Sequence, residues 1–234
     1  LSIGQPLVYE TGMTETDDWA SQTEQAVLDA ALPLIPRLGW SGRLMSAAGA
    51  KAGLSPADVE LLLPHGPRDL AALYARRLDA AAILSLDATN AAGLKVRERI
   101  AAAVLAWMRA AMRDEAATRR WMGFLALAPN APLGLRLAWA SADAFWRWAG
   151  DTATDENHYT KRLLLAEILV TTLAIRLSSG AGAAEAHLES RISGVMTFER
   201  WKANLPRPAE LADRAAAWLG RLRYGDPPLP NAGP

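Results

Sequence analysis

Residues 42 to 70 read GRLMSAAGAKAGLSPADVELLLPHGPRDL, and their punctuation decides the fold. A short run of small and apolar residues stops at Gly53, and Ser55-Pro56 then pairs a capping side chain with the residue tolerated at a first helical position. Pro64 and Pro67 bracket a second turn, and Pro67 opens a further helix. Helix, turn, helix and following helix is the layout of a helix-turn-helix. Its second helix, SPADVELLL, carries Asp58 and Glu60 and no base. Phosphate neutralisation by Lys and Arg supplies most affinity for nucleic acid, so two carboxylates at the groove repel a duplex. The expectation is a retained structural lobe with no nucleic-acid binding.

Outward from this lobe the chain reads as all helical. Ala, Leu and Arg dominate, and neither alternating apolar runs nor Asn-Gly turns occur. Helices are expected over 17–38, 41–51, 55–63, 67–88, 93–113, 115–127, 131–149, 155–178, 182–193, 196–203 and 208–223, with breaks at Pro129, Gly150, Gly180 and Gly194. Residues 1–16 are expected to be a flexible leader or a cloning remnant. A helix-turn-helix lobe over 17–66 precedes a larger helical body over 67–203. An amphipathic helix over 204–224 and a Pro- and Gly-rich tail over 225–234 complete the chain.

The totals remove whole classes of function. Lys plus Arg and Asp plus Glu both number 25 in 234 residues, so no net charge draws the molecule to nucleic acid or an anionic surface. Without cysteine there is no disulfide, thiolate metal site or Cys nucleophile. The longest apolar run, LLLAEILVTTLAI, is too short to span a bilayer and carries Glu167, so it reads as a core helix. The first 20 residues hold several acids and no base, which is wrong for a signal or transit peptide.

Motifs for catalysis are missing. GAGAAE, 180–185, imitates a dinucleotide loop but follows a helix where that motif needs a strand. The three histidines, 65, 158 and 187, form no Glu-x-x-His pair, and no Walker loop, nucleophile elbow or triad appears. Asp151, Asp155, Glu156 and His158 are numerous enough for a metal, yet helix capping and a solvated turn account for them. The reading is a non-enzyme with no catalytic residue, no metal and no cofactor.

Nine tryptophans are many for this length, and most of the Trp and Met side chains lie on the middle helices. Such side chains at helical spacing usually form core. Rigid indoles beside adaptable Met also suit a cavity for an apolar ligand. The candidate lipid contacts are Trp107, Met108, Met112, Trp121, Met122, Phe124, Leu125, Trp139, Phe145, Trp146, Leu164 and Ile168. The last helix puts Leu211, Trp218, Leu219 and Leu222 on one stripe with arginines beside or opposite it, which describes either a packed helix or one lying in a membrane interface.

The stretch AGDTATDENHYTKRLLLAEI, 149–168, contains Ala149, Gly150, Asp151, Thr154, Asp155, Asn157, Tyr159, Thr160, Lys161 and Arg162. It resembles the signature of the ubiquinone-biosynthesis accessory proteins, a lipid-binding family with a TetR-like fold that assists the hydroxylase acting on demethoxyubiquinone. Residues 42–70 likewise look like the helix-turn-helix lobe of TetR repressors, and the similarity extends loosely through VMTFERWK, 195–202. The resemblance implies a homodimer that binds isoprenoid quinone intermediates or phospholipid, touches the membrane through its last helix and docks the hydroxylase. Asp155, His158, Tyr159 and Arg162 are the implied docking residues, with His158 where a tryptophan is expected. Their three- and four-residue spacing places them on one helix face. Lys161 and Arg162 lie at a helix N-terminus, where the dipole disfavours cations, so an external acidic partner is expected to meet them. The Ala- and Arg-rich composition suggests a bacterial source, and with the resemblance this implies a cytoplasmic protein peripheral to the inner membrane. The competing reading is a TetR-like transcriptional regulator with an apolar effector pocket.

Overall fold

The computed structural model describes the backbone of residues 15–89, 93–151 and 156–203, and the side chains of 19–89, 93–151 and 158–194. Every regular element among them is a helix: α1 (Glu15–Ala31), α2 (Ile35–Leu38), α3 (Gly42–Lys51), α4 (Pro56–Leu62), α5 (Pro67–Asp87), α6 (Val96–Met112), α7 (Glu115–Ala126), α8 (Ala131–Trp148), α9 (Glu156–Ser179) and α10 (Ala181–Ala203). The all-helical expectation holds. The chain forms two compact units, Leu1–Glu189 and Ser190–Pro234, and the described part of the second is the end of α10.

The helix-turn-helix is built as its punctuation predicts. The Ser41 hydroxyl accepts from the Leu44 N–H to cap α3, and Gly53 makes the turn with φ 77°. Ser55 and Asp58 form a reciprocal capping box on α4. The Asp58 carboxylate accepts hydrogen bonds from Ser55 N and Oγ, which hold its carboxyl below the ordinary range. Gly49 of α3 lies against the Val59 side chain of α4 so closely that a Cβ would collide with a Val59 methyl. The outer face of α4 presents Ala57, Glu60 and Leu61, the last 84% exposed, and no base.

Two predicted boundaries are corrected. The single helix expected over 17–38 breaks after Ala31 and restarts as α2, with Pro33 in the turn and Pro36 at the start of the short helix. Proline lacks an N–H and obstructs the preceding turn, so two prolines three residues apart outweigh the apolar periodicity. The break expected at Gly194 is absent, because one glycine costs a helix only about 1 kcal/mol, which its neighbours can offset.

α5 is the axis of the first unit, packing on α6 and α8 and receiving α1 along its side. Its Tyr74 is buried between Trp40 and Trp121, with ring centroids 5.7 Å away in each case. The Tyr74 hydroxyl is 2.7 Å from Thr118 Oγ1, and burial pushes its pKa up to about 12. α8 packs along α9, and this pair carries both features of functional interest.

Candidate functional site

An apolar cavity of about 280 Å³ lies among α6, α7, α8 and α9. α6 contributes Trp107; α7 contributes Trp121, Met122, Leu125 and Ala126; α9 contributes Leu169 and Val170. α8 supplies the largest share, with Ala131, Gly134, Leu135, Leu137, Ala138 and Ser141. Leu135 is 74% exposed and Val170 is also exposed, so these two mark the mouth. An apolar void of roughly 150 Å³ suffices for benzene, so this space has room for a ring with a short aliphatic substituent.

The two indoles present carbon to this space. Trp107 Nε1 donates to Asp79 Oδ1 at 2.9 Å and Trp121 Nε1 donates to the Ala71 carbonyl at 3.0 Å. Both acceptors are on α5, which contributes nothing to the lining. The other Asp79 oxygen accepts from Ser141 Oγ at 2.9 Å, so one carboxylate ties α5 to α6 and α8. Burial pushes the Asp79 carboxyl up to about 7, and the hydrogen bonds from Ser141 and Trp107 only partly oppose it.

Of the candidate lipid contacts, Trp107, Trp121, Met122 and Leu125 line the cavity. Met108, Phe145 and Ile168 are buried elsewhere in the core, and Met112 and Leu164 are half-buried outside the lining. Phe124 packs against Trp40, Trp139 against Tyr159, and Trp146 donates to the Lys161 carbonyl. The sequence reading missed the α8 wall. Its signal was the stripe Ala131, Gly134, Ala138 and Ser141, small residues at three- and four-residue spacing that leave room for the indoles opposite. Asp79 carried no local signal.

The second feature answers the question of the cations. Lys161 Nζ is 2.8 Å from Asp151 Oδ1, Arg162 Nη1 is 3.2 Å from Asp151 Oδ2, and Arg162 Nε is 2.6 Å from Asp143 Oδ1. Arg162 also donates to the His158 carbonyl, and Asp143 takes Arg147 as a second partner. Arg162 is 2% exposed. The expectation that Arg162 faces an external partner is therefore corrected: it joins α9 to α8 and to the turn after α8, and the chain's own aspartates meet both cations. Burial pushes the Asp151 carboxyl up, but Lys161 and Arg162 outweigh that and hold it below the ordinary range. Gly150, with φ 88°, turns the chain so that Asp151 reaches them.

Of the other implied docking residues, Asp155 lies outside the described side chains, His158 is half-buried, and Tyr159 is 66% exposed. Leu163, one turn on, is 64% exposed. The interfacial stripe Leu211, Trp218, Leu219 and Leu222 lies outside the described residues, as do residues 1–14 of the expected leader and the tail, while residues 15 and 16 open α1. Among the described residues no group of three His, Asp or Glu side chains is placed to hold a metal, and no helix is long and apolar enough to cross a membrane.

The architecture defines a TetR-like helical protein. A TetR transcriptional regulator from Rhodococcus sp. RHA1 superposes with a TM-score of 0.58 over 82% of this chain and 100% of its own, at 16% identity, a likeness of fold alone. Within that class, residues 131–199, which span α8, α9 and most of α10, match the family described as COQ9. The chain is similar to the mitochondrial ubiquinone biosynthesis protein COQ9 of Homo sapiens, 27% identical over 84% of this chain and 65% of that protein. It is also similar to COQ9 of Xenopus tropicalis, 30% identical over 76% of this chain and 59% of that protein. The resemblance read from residues 149–168 is borne out. The chain spans about two thirds or less of the length of these relatives, which are animal mitochondrial proteins and give no support to the expectation of a bacterial source.

Proposed function

We propose that this protein is a non-catalytic, lipid-binding accessory of ubiquinone biosynthesis, which receives the ring and proximal isoprene units of a quinone precursor in the α6–α9 cavity. The observation that carries this reading is a carbon-lined cavity whose mouth, at Leu135 and Val170, lies between two helices of the COQ9-like segment. About 280 Å³ does not enclose a long prenyl tail, so the tail extends through the mouth. Hydrocarbon in a bilayer is already dry, and transfer from lipid into the cavity has little net apolar driving force. Brief handover to an enzyme therefore suits this cavity better than storage. Tyr159, braced by Trp139, and Leu163, both exposed on α9, form the surface on which the demethoxyubiquinone hydroxylase docks. A homodimer and a membrane contact through the last helix belong to the same reading. The acidic outer face of α4 does not favour a DNA-binding regulator.

Mass spectrometry of organic extracts from the purified protein, produced in cells that make ubiquinone, tests the proposal. A prenylated ring compound recovered well above the amount carried by a control protein supports it; folded protein that carries no more prenyl lipid than the control overturns it.

A further inference from the structure

Among the described residues that line the cavity, Ser141 is the one with a polar side-chain group other than the two indole N–H groups, and those are already donated to α5. Its hydroxyl has one proton and two acceptor positions. Two acceptors lie within reach of that proton, Asp79 Oδ2 at 2.9 Å and the Leu137 carbonyl at 3.2 Å. The proton is therefore committed inside the protein, whereas acceptor capacity is left over. Protonating Asp79 does not reverse this balance: the acid then donates to Ser141 Oγ, the serine proton turns to Leu137, and one lone pair remains.

We propose that Ser141, positioned by Asp79, is a polar anchor in the cavity wall that selects apolar ligands carrying a hydroxyl donor, such as phenols and hydroquinones, over ligands of the same shape that offer only acceptors. This rests on the reading that the cavity takes an apolar ring. A phenolic O–H completes the serine's hydrogen bonding. A ligand with only acceptors at that position turns a lone pair toward an oxygen that has no proton to give, and both stay unpaired in a dry site.

The test uses a matched pair of probes, 4-hexylphenol and 4-hexylanisole, in which a methyl group replaces the hydroxyl proton, titrated into the protein by calorimetry and by Trp fluorescence. The wild-type protein is expected to bind the phenol roughly 5- to 10-fold tighter, the worth of one neutral hydrogen bond. Ser141→Ala is expected to bring the phenol to the affinity of the anisole and leave the anisole within about twofold of its wild-type value. Equal wild-type binding of both probes overturns the anchor while leaving the cavity reading standing, as does a preference that survives Ser141→Ala. Binding of neither probe to folded protein removes the cavity reading and this inference with it. The wild-type comparison needs no variant, so a poorly folding Ser141→Ala does not block the test.

Discussion

Replacing Asp79 with asparagine should stabilise the protein at alkaline pH and do little in acid. The amide keeps both contacts of the carboxylate: its oxygen accepts from Trp107 Nε1, and its NH₂ donates to Ser141 Oγ, whose proton turns to the Leu137 carbonyl. What disappears is a buried charge. The folded-state acidity of Asp79 lies at about 7 against an ordinary value of 3.8, so between those values the folded protein holds a proton that the unfolded chain has released. Stability therefore falls as pH rises through that window and levels off above it. Three pH steps at about 1.4 kcal/mol each set a ceiling of about 4 kcal/mol, and relaxation of local dipoles and water reduces it to roughly 1–3 kcal/mol. For a chain of this length that corresponds to a gain in Tm of about 2–10 °C at pH 8.5, shrinking toward zero near pH 4.5. Paired thermal melts of wild type and Asp79→Asn at pH 4.5, 6, 7 and 8.5 measure it directly, since every other titrating group cancels in the difference. A difference that does not change with pH, or a variant less stable at pH 8.5, refutes the reasoning.

Other perturbations follow from the same geometry. Arg162→Ala leaves Asp151 with Lys161 alone and Asp143 with Arg147 alone, and thermal melts should show a loss of about 1–3 kcal/mol, below the penalty for an unpaired buried charge because each carboxylate keeps one cation. The contribution of Asp151 itself, whose folded-state pKa is depressed, should be present above about pH 4 and fade below it. Gly49→Ala should cost about 1–3 kcal/mol in chemical denaturation by forcing α3 from the stiff Val59 side chain, while Gly42→Ala, where a Cβ meets nothing, should not. Tyr159→Ala and Leu163→Ala should leave Tm within about 2 °C of wild type and weaken hydroxylase pull-down at least fivefold; retention of full binding by the double variant removes that docking surface.

Much of the fold was legible because local chemistry fixed it. Ser55-Pro56, Gly53, Pro64 and Pro67 each act within one turn of their own position, and the structure places α3, α4 and α5 between them. The failures have equally physical causes. At Pro33 and Pro36 the apolar pattern and the backbone conflict, and reading the pattern alone continued a helix that proline ends. At Gly194 a weak propensity was read as a break. The cavity was half legible: large aromatics signal ligand space and core alike, and what distinguishes the space is the small-residue stripe of α8 facing Trp107 and Trp121 across three helices. Arg162 shows the limit most plainly. Its spacing from Tyr159 pointed to one shared docking face, but Asp143 lies on the preceding helix, and only the packing of α8 on α9 turns the arginine inward. Asp79, isolated among apolar neighbours on α5, becomes meaningful only when Trp107 and Ser141 reach it from two other helices.

The most direct test of a cavity that receives the ring of a prenylated quinone precursor is to close it. Ala138, in the middle of the α8 wall, can be replaced by phenylalanine, whose ring occupies much of the roughly 280 Å³ without touching the Arg162 ion pairs or Tyr159. The measurement is prenyl lipid per protein, by mass spectrometry of organic extracts, in wild type and Ala138→Phe matched for helicity and Tm. The account predicts prenyl lipid well above the level of a control protein in the wild type and at least a tenfold loss in the variant; equal lipid in both would contradict it.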